Sequence, residues 1–276
     1  VDDVVQSIMQ TLSHCASTCP SLLAGDLQLL TMVCQTLLTV GQNNCLDPNV
    51  RLSALEALTT LCMVPDMKKI LSDNSSLRNL CLVGKKESWN GNLSYDSNHG
   101  IIGVCAELIV RGVDDDVDDW ATEEVALQDE MQWENDDVTI FAESILDTFL
   151  RNGGGGSQSL PIVLSLVESL LKATEWQNIR AGLTILEACL NSSPHSFAAH
   201  VPVAVEAALS FCSHLSARVQ FQAIQLLGSL CQADDVIASE EGSVAIREEY
   251  GMRILQSFAQ HLSSQYPKNS MPCLSR

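Results

Sequence analysis

The chain has 276 residues, of which 46% are hydrophobic, and this supplies ample apolar side chains for a large core. Its formal net charge of −19 is concentrated between residues 112 and 150, which contain 14 Asp and Glu and no Lys or Arg. Such an acidic field repels nucleic acid phosphates and attracts basic polypeptides, so we expect basic protein partners and no nucleic acid. No apolar run approaches the roughly 18 to 20 residues that cross a bilayer, so we also expect no membrane partner.

The first half of the chain predicts amphipathic helices separated by polar insertions. Asp47-Pro48 opens one of these helices with a residue suited to the N-cap and a proline at the first helical position. Segments in which apolar side chains recur with helical spacing are predicted to be helices. Segments in which turn-forming residues occur without such a period are predicted to be loops. The predicted segments are helices over 2–18, 22–40 and 98–111, a loop over 84–97, and an acidic stretch from 113 to about 136.

The second half begins with Gly153-Gly154-Gly155-Gly156-Ser157, which is a flexible spacer by composition. Its GGGGS form predicts an engineered linker that replaces deleted residues, with a natural Gly-rich turn as the alternative. After it, apolar periodicity resumes and predicts five more helices. These helices cover residues 159–172, 176–191, 198–213, 216–232 and 243–262.

One helical pattern recurs four times, beginning at Val50, Val138, Ile179 and Val219. The last two intervals are 41 and 40 residues, and a period near 40 with two amphipathic helices per unit is typical of HEAT repeats. The first interval of 88 residues allows two ordinary repeats or one repeat with two insertions, and the aperiodic polar segments favour the latter. The sequence therefore predicts an all-α fold, a HEAT-repeat α-α superhelix (solenoid), whose function is to hold other proteins.

This pattern divides the chain into six segments. We expect HEAT repeats over 1–112, an acidic loop between the helices of one repeat over 113–137, a HEAT helix over 138–152, the Gly-rich linker over 153–157, HEAT repeats over 158–263 and a flexible end over 264–276. Because the chain begins inside a helical pattern, we expect it to be a segment of a longer protein.

The eleven cysteines predict no disulfide framework, because their number is odd and most occupy apolar helical positions. They favour a reducing compartment over a secreted protein. The chain has no Gly-x-Ser-x-Gly elbow, phosphate-binding loop, dinucleotide fingerprint or His-Glu-x-x-His motif, so we expect no enzymatic activity and no cofactor. His14-Cys15 with Cys19 lacks a second pair of ligands at a useful spacing, so we expect no metal site.

A set of segments in a fixed order carries a resemblance to a known family. The segments are residues 51–61, the acidic run ending in Asp118-Asp119-Trp120-Ala121, residues 142–147, Gly153-Gly154 with Leu160-Pro161, residues 175–183, and Ala217-Arg218-Val219-Gln220 with Ala223. Their order resembles that of the central HEAT repeats in the importin-β (karyopherin-β) nuclear transport receptors, and is most similar to receptors of the importin-five type.

This resemblance implies a receptor that carries basic cargo proteins with nuclear localisation signals, contacts nucleoporins, and releases its cargo when Ran-GTP binds. It implies a location in the cytoplasm and nucleus, and we expect a monomer. It also implies that the second helix of each repeat lines an acidic concave surface. Carried across to this chain, the partner-binding residues are Asp114, Asp115, Asp116, Asp118, Asp119, Trp120, Glu143, Asp147 and Glu187.

Alternatives to this interpretation remain open at the level of sequence. One alternative function is a HEAT-repeat scaffold, such as a phosphatase regulatory subunit or an assembly chaperone. The acidic stretch is alternatively a solvated excursion or a cation site. Glu143, Asp147 and Glu187 are alternatively ordinary polar-face residues of amphipathic helices.

Overall fold

A computed structural model describes residues 2–18, 25–82, 100–111, 133–153, 160–237 and 245–265. All of these residues form helices or the turns that connect them, and this part of the chain contains no β-strand. The predicted all-α class is therefore confirmed. The loop predicted over 84–97, residues 154–157 of the GGGGS spacer and residues 266–276 of the predicted flexible end lie outside the described residues. Gly153 of the predicted linker and residues 264–265 of the predicted flexible end are instead helical.

The described residues form two compact units, Val1–Ser193 and Pro194–Arg276. The helices of the first unit are α1 (Asp2–Thr18), α2 (Leu27–Gln42), α3 (Pro48–Met63), α4 (Pro65–Asp73), α5 (Ser75–Leu82), α6 (Ile101–Arg111), α7 (Trp133–Thr148), which a π-helical turn (Phe149–Gly153) continues, α8 (Leu160–Leu171) and α9 (Trp176–Ser192). The helices of the second unit are α10 (Pro194–Phe197), a 3-10 turn (Ala198–His200), α11 (Val201–Phe211), α12 (Ala217–Gln232), α13 (Asp234–Ile237), α14 (Ile246–Glu249) and α15 (Gly251–Gln265).

Helical pairs build the first unit. Helix α2 packs against α3, α6 against α7, and α8 against α9. The second helices of these pairs also contact one another in order, because α3 packs on α7 and α7 packs on α9. The two copies of the helical pattern that begin at Val50 and Val138 are thus spatial neighbours, which agrees with the interpretation of one repeat with two insertions.

The predicted helix starts differ from the observed ones where a local cap decides the boundary. Helix α2 begins at Leu27, later than predicted, because the Asp26 carboxylate accepts hydrogen bonds from the amides of Gln28 and Leu29 at 2.8 and 3.2 Å. This capping satisfies two of the amides that have no intrahelical partner. The cap predicted at Asp47 is confirmed, since its carboxylate accepts from the Asn49 amide at 2.8 Å with Pro48 at the first helical position.

Helix α7 starts at Trp133, so it includes residues that the sequence assigned to the acidic loop. At the other end, the π-helical turn buries Phe149 and Leu150. The helix thereby extends over a longer stretch of chain than apolar periodicity alone predicted.

One buried arginine joins three helices of the first unit. The Arg51 Nε on α3 donates to the Gly41 carbonyl near the end of α2 at 2.8 Å, and its Nη2 lies 3.6 Å from the Glu107 Oε1 of α6. Glu107 also pairs with Arg111 at 3.2 Å. Arg51 and Glu107 are only 4% and 6% exposed, so these contacts compensate their charges where water cannot.

A buried carboxylate organises the second unit. The Asp234 Oδ1 accepts a hydrogen bond from the Ile246 amide at 2.6 Å, and its Oδ2 lies 3.4 Å from the Nε of Arg247. Helix α11 packs against α12, and α12 contacts both α13 and α14. Asp234 therefore fixes the start of α14 against the end of α12, within a region that apolar periodicity did not resolve into separate helices.

Six of the cysteines in the described region behave as small apolar side chains. Cys34, Cys62, Cys81, Cys105, Cys189 and Cys212 are buried and carry free thiols. Burial raises the pKa of Cys105 and that of Cys189 to about 12, so both stay protonated at neutral pH. No helix among the described residues is long and apolar enough to cross a membrane, and no group of three or more potential metal-ligating side chains there could hold an ion.

Candidate partner-binding surface

The structure describes three of the nine predicted partner-binding residues. Asp114, Asp115, Asp116, Asp118, Asp119 and Trp120 lie outside the described residues, so their role stays a prediction. Glu143 and Asp147 lie on α7, and Glu187 lies on α9. Because α7 and α9 are adjacent second helices, these three carboxylates belong to one surface.

Helix α7 has a buried face and a mixed polar and apolar exposed face. Ala142, Ile145 and Leu146 are buried against the neighbouring helices. Ile140 and Phe141 are 56% and 47% exposed. Glu143 and Asp147 are half-buried, at the edge between the two faces. This arrangement follows from residues three and four apart sharing a face of the helix.

Glu143 faces charged residues of α9. The pKa of its carboxyl is raised above the ordinary value, first because burial disfavours the charged form and also because Glu187 repels it. The guanidinium of Arg180 acts in the opposite direction and lowers that pKa. Arg180 and Glu187 thus both lie close enough to act on Glu143.

Asp147 connects α7 to α9 one turn beyond Glu143. Its Oδ1 accepts a hydrogen bond from the Ser192 hydroxyl at 2.8 Å and lies 3.1 Å from the Nη2 of Arg151. The side chains of Asp147 and Arg151 are 34% and 51% exposed, so a ligand cation that approaches Asp147 competes with Arg151. Asp147 therefore contributes to the helix junction as well as to the surface charge.

Sequence reasoning missed several residues of this surface. Arg151 lies four residues after Asp147, and this spacing alone predicts the observed pair. No local spacing predicts the contact of Ser192 with Asp147, because the two residues are 45 positions apart along the chain. Arg180 lies in the segment 175–183 that carries the family resemblance, but the sequence did not predict that it acts on Glu143. The exposed side chains of Ile140 and Phe141 were not distinguished from the core positions beside them.

No protein-family model matches the chain, and no curated protein matches it. Solved structures of the karyopherin Kap121p do match, with a TM-score of 0.72. Three of them show Kap121p bound to Pho4p, to Nup53p, and to the extreme C-terminus of the protein phosphatase Cdc14p, each at 18% sequence identity. Each match covers 96% of this chain and 22% of Kap121p.

These matches give the fold of the chain. Nearly the whole chain superposes on HEAT-repeat karyopherin structures, so the predicted HEAT-repeat fold is confirmed. The chain spans about a fifth of the length of the proteins it matches. At this level of identity the similarity concerns the fold, and the structural neighbours are transport receptors rather than enzymes.

Proposed function

We propose that this chain is part of a nuclear transport receptor that binds basic cargo proteins on the carboxylate-bearing surface of α7 and α9. The observation that carries the proposal is that Glu143, Asp147 and Glu187 place three half-buried carboxylates on the adjacent helices α7 and α9. A Lys or Arg of a ligand placed there meets carboxylates in an environment where solvent screens charges less than at an open surface.

The structural neighbours support binding as the activity. Kap121p has been crystallised with Pho4p, Nup53p, Ste12p and Ulp1p, and with the C-terminus of Cdc14p, so one fold receives several different proteins. For this chain we propose cargo binding, contact with nucleoporins, release of the cargo by Ran-GTP and passage between cytoplasm and nucleus. The net charge of −19 favours basic partners through faster encounter at low salt.

Binding of a basic nuclear localisation peptide tests this proposal. We expect the fluorescence anisotropy of a labelled Lys/Arg-rich peptide to report binding that weakens as salt rises from about 50 to 200 mM, because screening shortens the reach of the surface charges. The charge-neutral variant Glu143→Gln with Glu187→Gln should weaken binding. Glu56→Gln, at an exposed position on α3, is the matched control and should leave it unchanged. Equal affinities for all three proteins would refute the assignment of this surface.

The acidic stretch is proposed as a second part of the same binding region. Residues 113–137 contain twelve Asp and Glu and no Lys or Arg, so a basic peptide gains charge contacts there as well. Deleting residues 113–131, which leaves α7 intact, should lower the affinity for the labelled peptide. A higher affinity after the deletion would instead mean that this stretch occupies the ligand surface itself.

The scaffold alternative is separated from the receptor by Ran-GTP. We expect a HEAT-repeat scaffold to retain a basic partner when Ran-GTP is added. A receptor should release it, and the assay requires the longer protein because the chain covers 22% of Kap121p. Retention of the peptide at saturating Ran-GTP would favour the scaffold.

A further inference from the structure

Three buried thiols meet in the core of the first unit. Cys34 lies on α2, Cys62 on α3 and Cys81 on α5, and each side chain is at most 1% exposed. The side chain of Cys81 forms hydrogen bonds with both of the other thiols. The three are not placed to share a metal ion. Because the hydrogen bonds join sulfur to sulfur, the chemistry open to this thiol cluster is a bond between two of its sulfurs.

The packing of the helices favours one pair within the thiol cluster. Helix α5 packs against α2 more closely than against α3. A disulfide requires Cα atoms within about 7 Å of each other, so the approach of the backbones decides which thiols can join. Cys34 and Cys81 are also 47 positions apart, against 19 for Cys62 and Cys81, and a bond that closes the longer loop restricts the unfolded chain more. Cys34 and Cys81 are therefore the favoured pair.

We propose that Cys34 and Cys81 form a reversible disulfide that fastens α5 to α2 under oxidising conditions. This oxidation does not depend on the proposed function, because it concerns the core of the first unit and not its ligand surface. Under reducing conditions both residues are free thiols, as the structure has them. Disulfides of reducing compartments are usually transient and redox-sensing, which fits a pair that the folded core holds in contact.

Burial protects the thiol cluster from direct attack. The pKa of Cys34 is raised, first by its hydrogen bond with Cys81 and then by burial. The hydrogen bond with Cys34 lowers the pKa of Cys81, but the hydrogen bond with Cys62 and burial raise that pKa by more. Since the thiolate is the reactive form, the closed cluster reacts slowly. Helix α5 has only eight residues, and Cys81 shares its buried face with Leu77 and Leu82 alone, so we expect this helix to open more readily than the longer helices.

Oxidation by a small-molecule disulfide then proceeds in two exchanges. When α5 opens, Cys81 loses its thiol proton and its thiolate attacks one sulfur of the oxidant, which forms a mixed disulfide and releases one thiolate. When α5 closes, Cys34 loses its proton and attacks the Cys81 sulfur, which forms the protein disulfide and releases the second thiolate. The two released thiolates take up the two protons. The protein thus loses two electrons and two protons, and the oxidant is reduced to two thiols.

A glutathione titration of the whole chain tests this proposal. The chain is incubated in native buffer, and separately in concentrated urea, until samples started from excess reduced and excess oxidised glutathione agree. An acid quench then preserves the disulfides for peptide mapping by mass spectrometry. We expect the equilibrium constant for the bond between Cys34 and Cys81 to be up to about a thousandfold higher in native buffer, because the folded chain has already closed the loop.

Two outcomes of the mapping would overturn the proposal. One is an equilibrium constant in native buffer that is equal to or smaller than the constant in urea. The other is a predominant bond between Cys62 and Cys81. The mapping uses the unmodified chain, so it decides the proposal even if a cysteine variant fails to fold.

Matched variants test what the bond does to stability. The oxidised unmodified chain should have a higher urea midpoint than the reduced chain, and Cys34→Ala should show a smaller rise on oxidation. Cys189→Ala is the control, because Cys189 is an equally buried thiol of the same unit whose raised pKa has burial as its cause. It should keep the full rise. An equal rise in Cys34→Ala and in the unmodified chain would show that the stabilisation comes from another bond, which contradicts the proposal.

Discussion

Replacing Arg51 with methionine tests whether the buried contacts between α2, α3 and α6 stabilise the first unit. Methionine keeps an apolar stem of similar length, so the change removes charge and hydrogen bonds rather than volume. The Gly41 carbonyl loses its bond to Arg51, and an unsatisfied buried acceptor costs about 1 to 3 kcal/mol. Breaking a buried ion pair outright costs about 3 to 5 kcal/mol, but Glu107 retains Arg111 at 3.2 Å. We therefore expect a loss of about 2 to 4 kcal/mol in the free energy of unfolding.

Tryptophan fluorescence during urea unfolding is the appropriate assay. All four tryptophans lie before residue 194, so the signal reports on the first unit alone even if the two units unfold separately. The double variant Arg51→Met with Glu107→Gln should recover part of the loss, because a neutral side chain at 107 no longer needs a counter-charge. Lys172→Met is the control, since Lys172 pairs with Glu168 at an exposed site of the same unit.

The result that would refute this reasoning is a urea midpoint for Arg51→Met that equals that of Lys172→Met. The contacts of Arg51 would then be geometrically present but energetically neutral, as is common for ion pairs at exposed sites. A double variant less stable than Arg51→Met alone would also contradict the argument, because it would show that Glu107 stabilises the unit through Arg111 without needing Arg51.

Three further predictions address individual elements. A Cβ on Gly182 would lie 3.0 Å from Leu171 and 3.2 Å from Leu170, so Gly182→Val should destabilise the first unit by about 1 to 3 kcal/mol in urea unfolding, and an unchanged midpoint would show that α8 can shift. A Cβ on Gly228 would meet no atom within 4 Å beyond its own helix backbone, so Gly228→Ala should add at most about 1 kcal/mol to the free energy of unfolding through helix propensity. The thermal midpoint should therefore rise, and a lower midpoint by circular dichroism would contradict this. Asp234→Ala should lower the thermal midpoint, because it leaves the Ile246 amide without its acceptor. Asp235→Ala, at an exposed site, is the control and should leave the midpoint unchanged. Equal midpoints for the two variants would contradict the role given to Asp234.

The sequence predicted the parts of the fold that depend on local chemistry and regular spacing. Patterns among residues close in the chain predicted the cap at Asp47. They also predicted the second helices, which begin near Val50, Val138, Ile179 and Val219. Helices α4 and α5 were missed because they have only nine and eight residues, which is too short for apolar periodicity to emerge.

The candidate surface was predictable only in part. The sequence identified Glu143, Asp147 and Glu187 through a resemblance, and the structure places them on adjacent helices. It could not show that Glu187 and Arg180 both act on Glu143, because that depends on how α7 and α9 align. The repeat frame that aligns Val138 with Ile179 sets Glu143 opposite Thr184, which is within one turn of Glu187, so the pattern held approximate information about this contact.

Arg51 and Arg180 occupy the same position in the repeat pattern, directly after Val50 and Ile179, yet their surroundings differ in charge balance. Arg51 is buried, and its guanidinium contacts the Gly41 carbonyl and the Glu107 carboxylate. Arg180 lies at a half-buried junction near two carboxylates, where it lowers the pKa of Glu143 and Glu187 raises that pKa. Full burial requires compensated charges, whereas partial exposure tolerates an excess of charge because water still screens it. The depth of the equivalent arginine therefore sets how fully its charge must be compensated at each of the two repeat junctions.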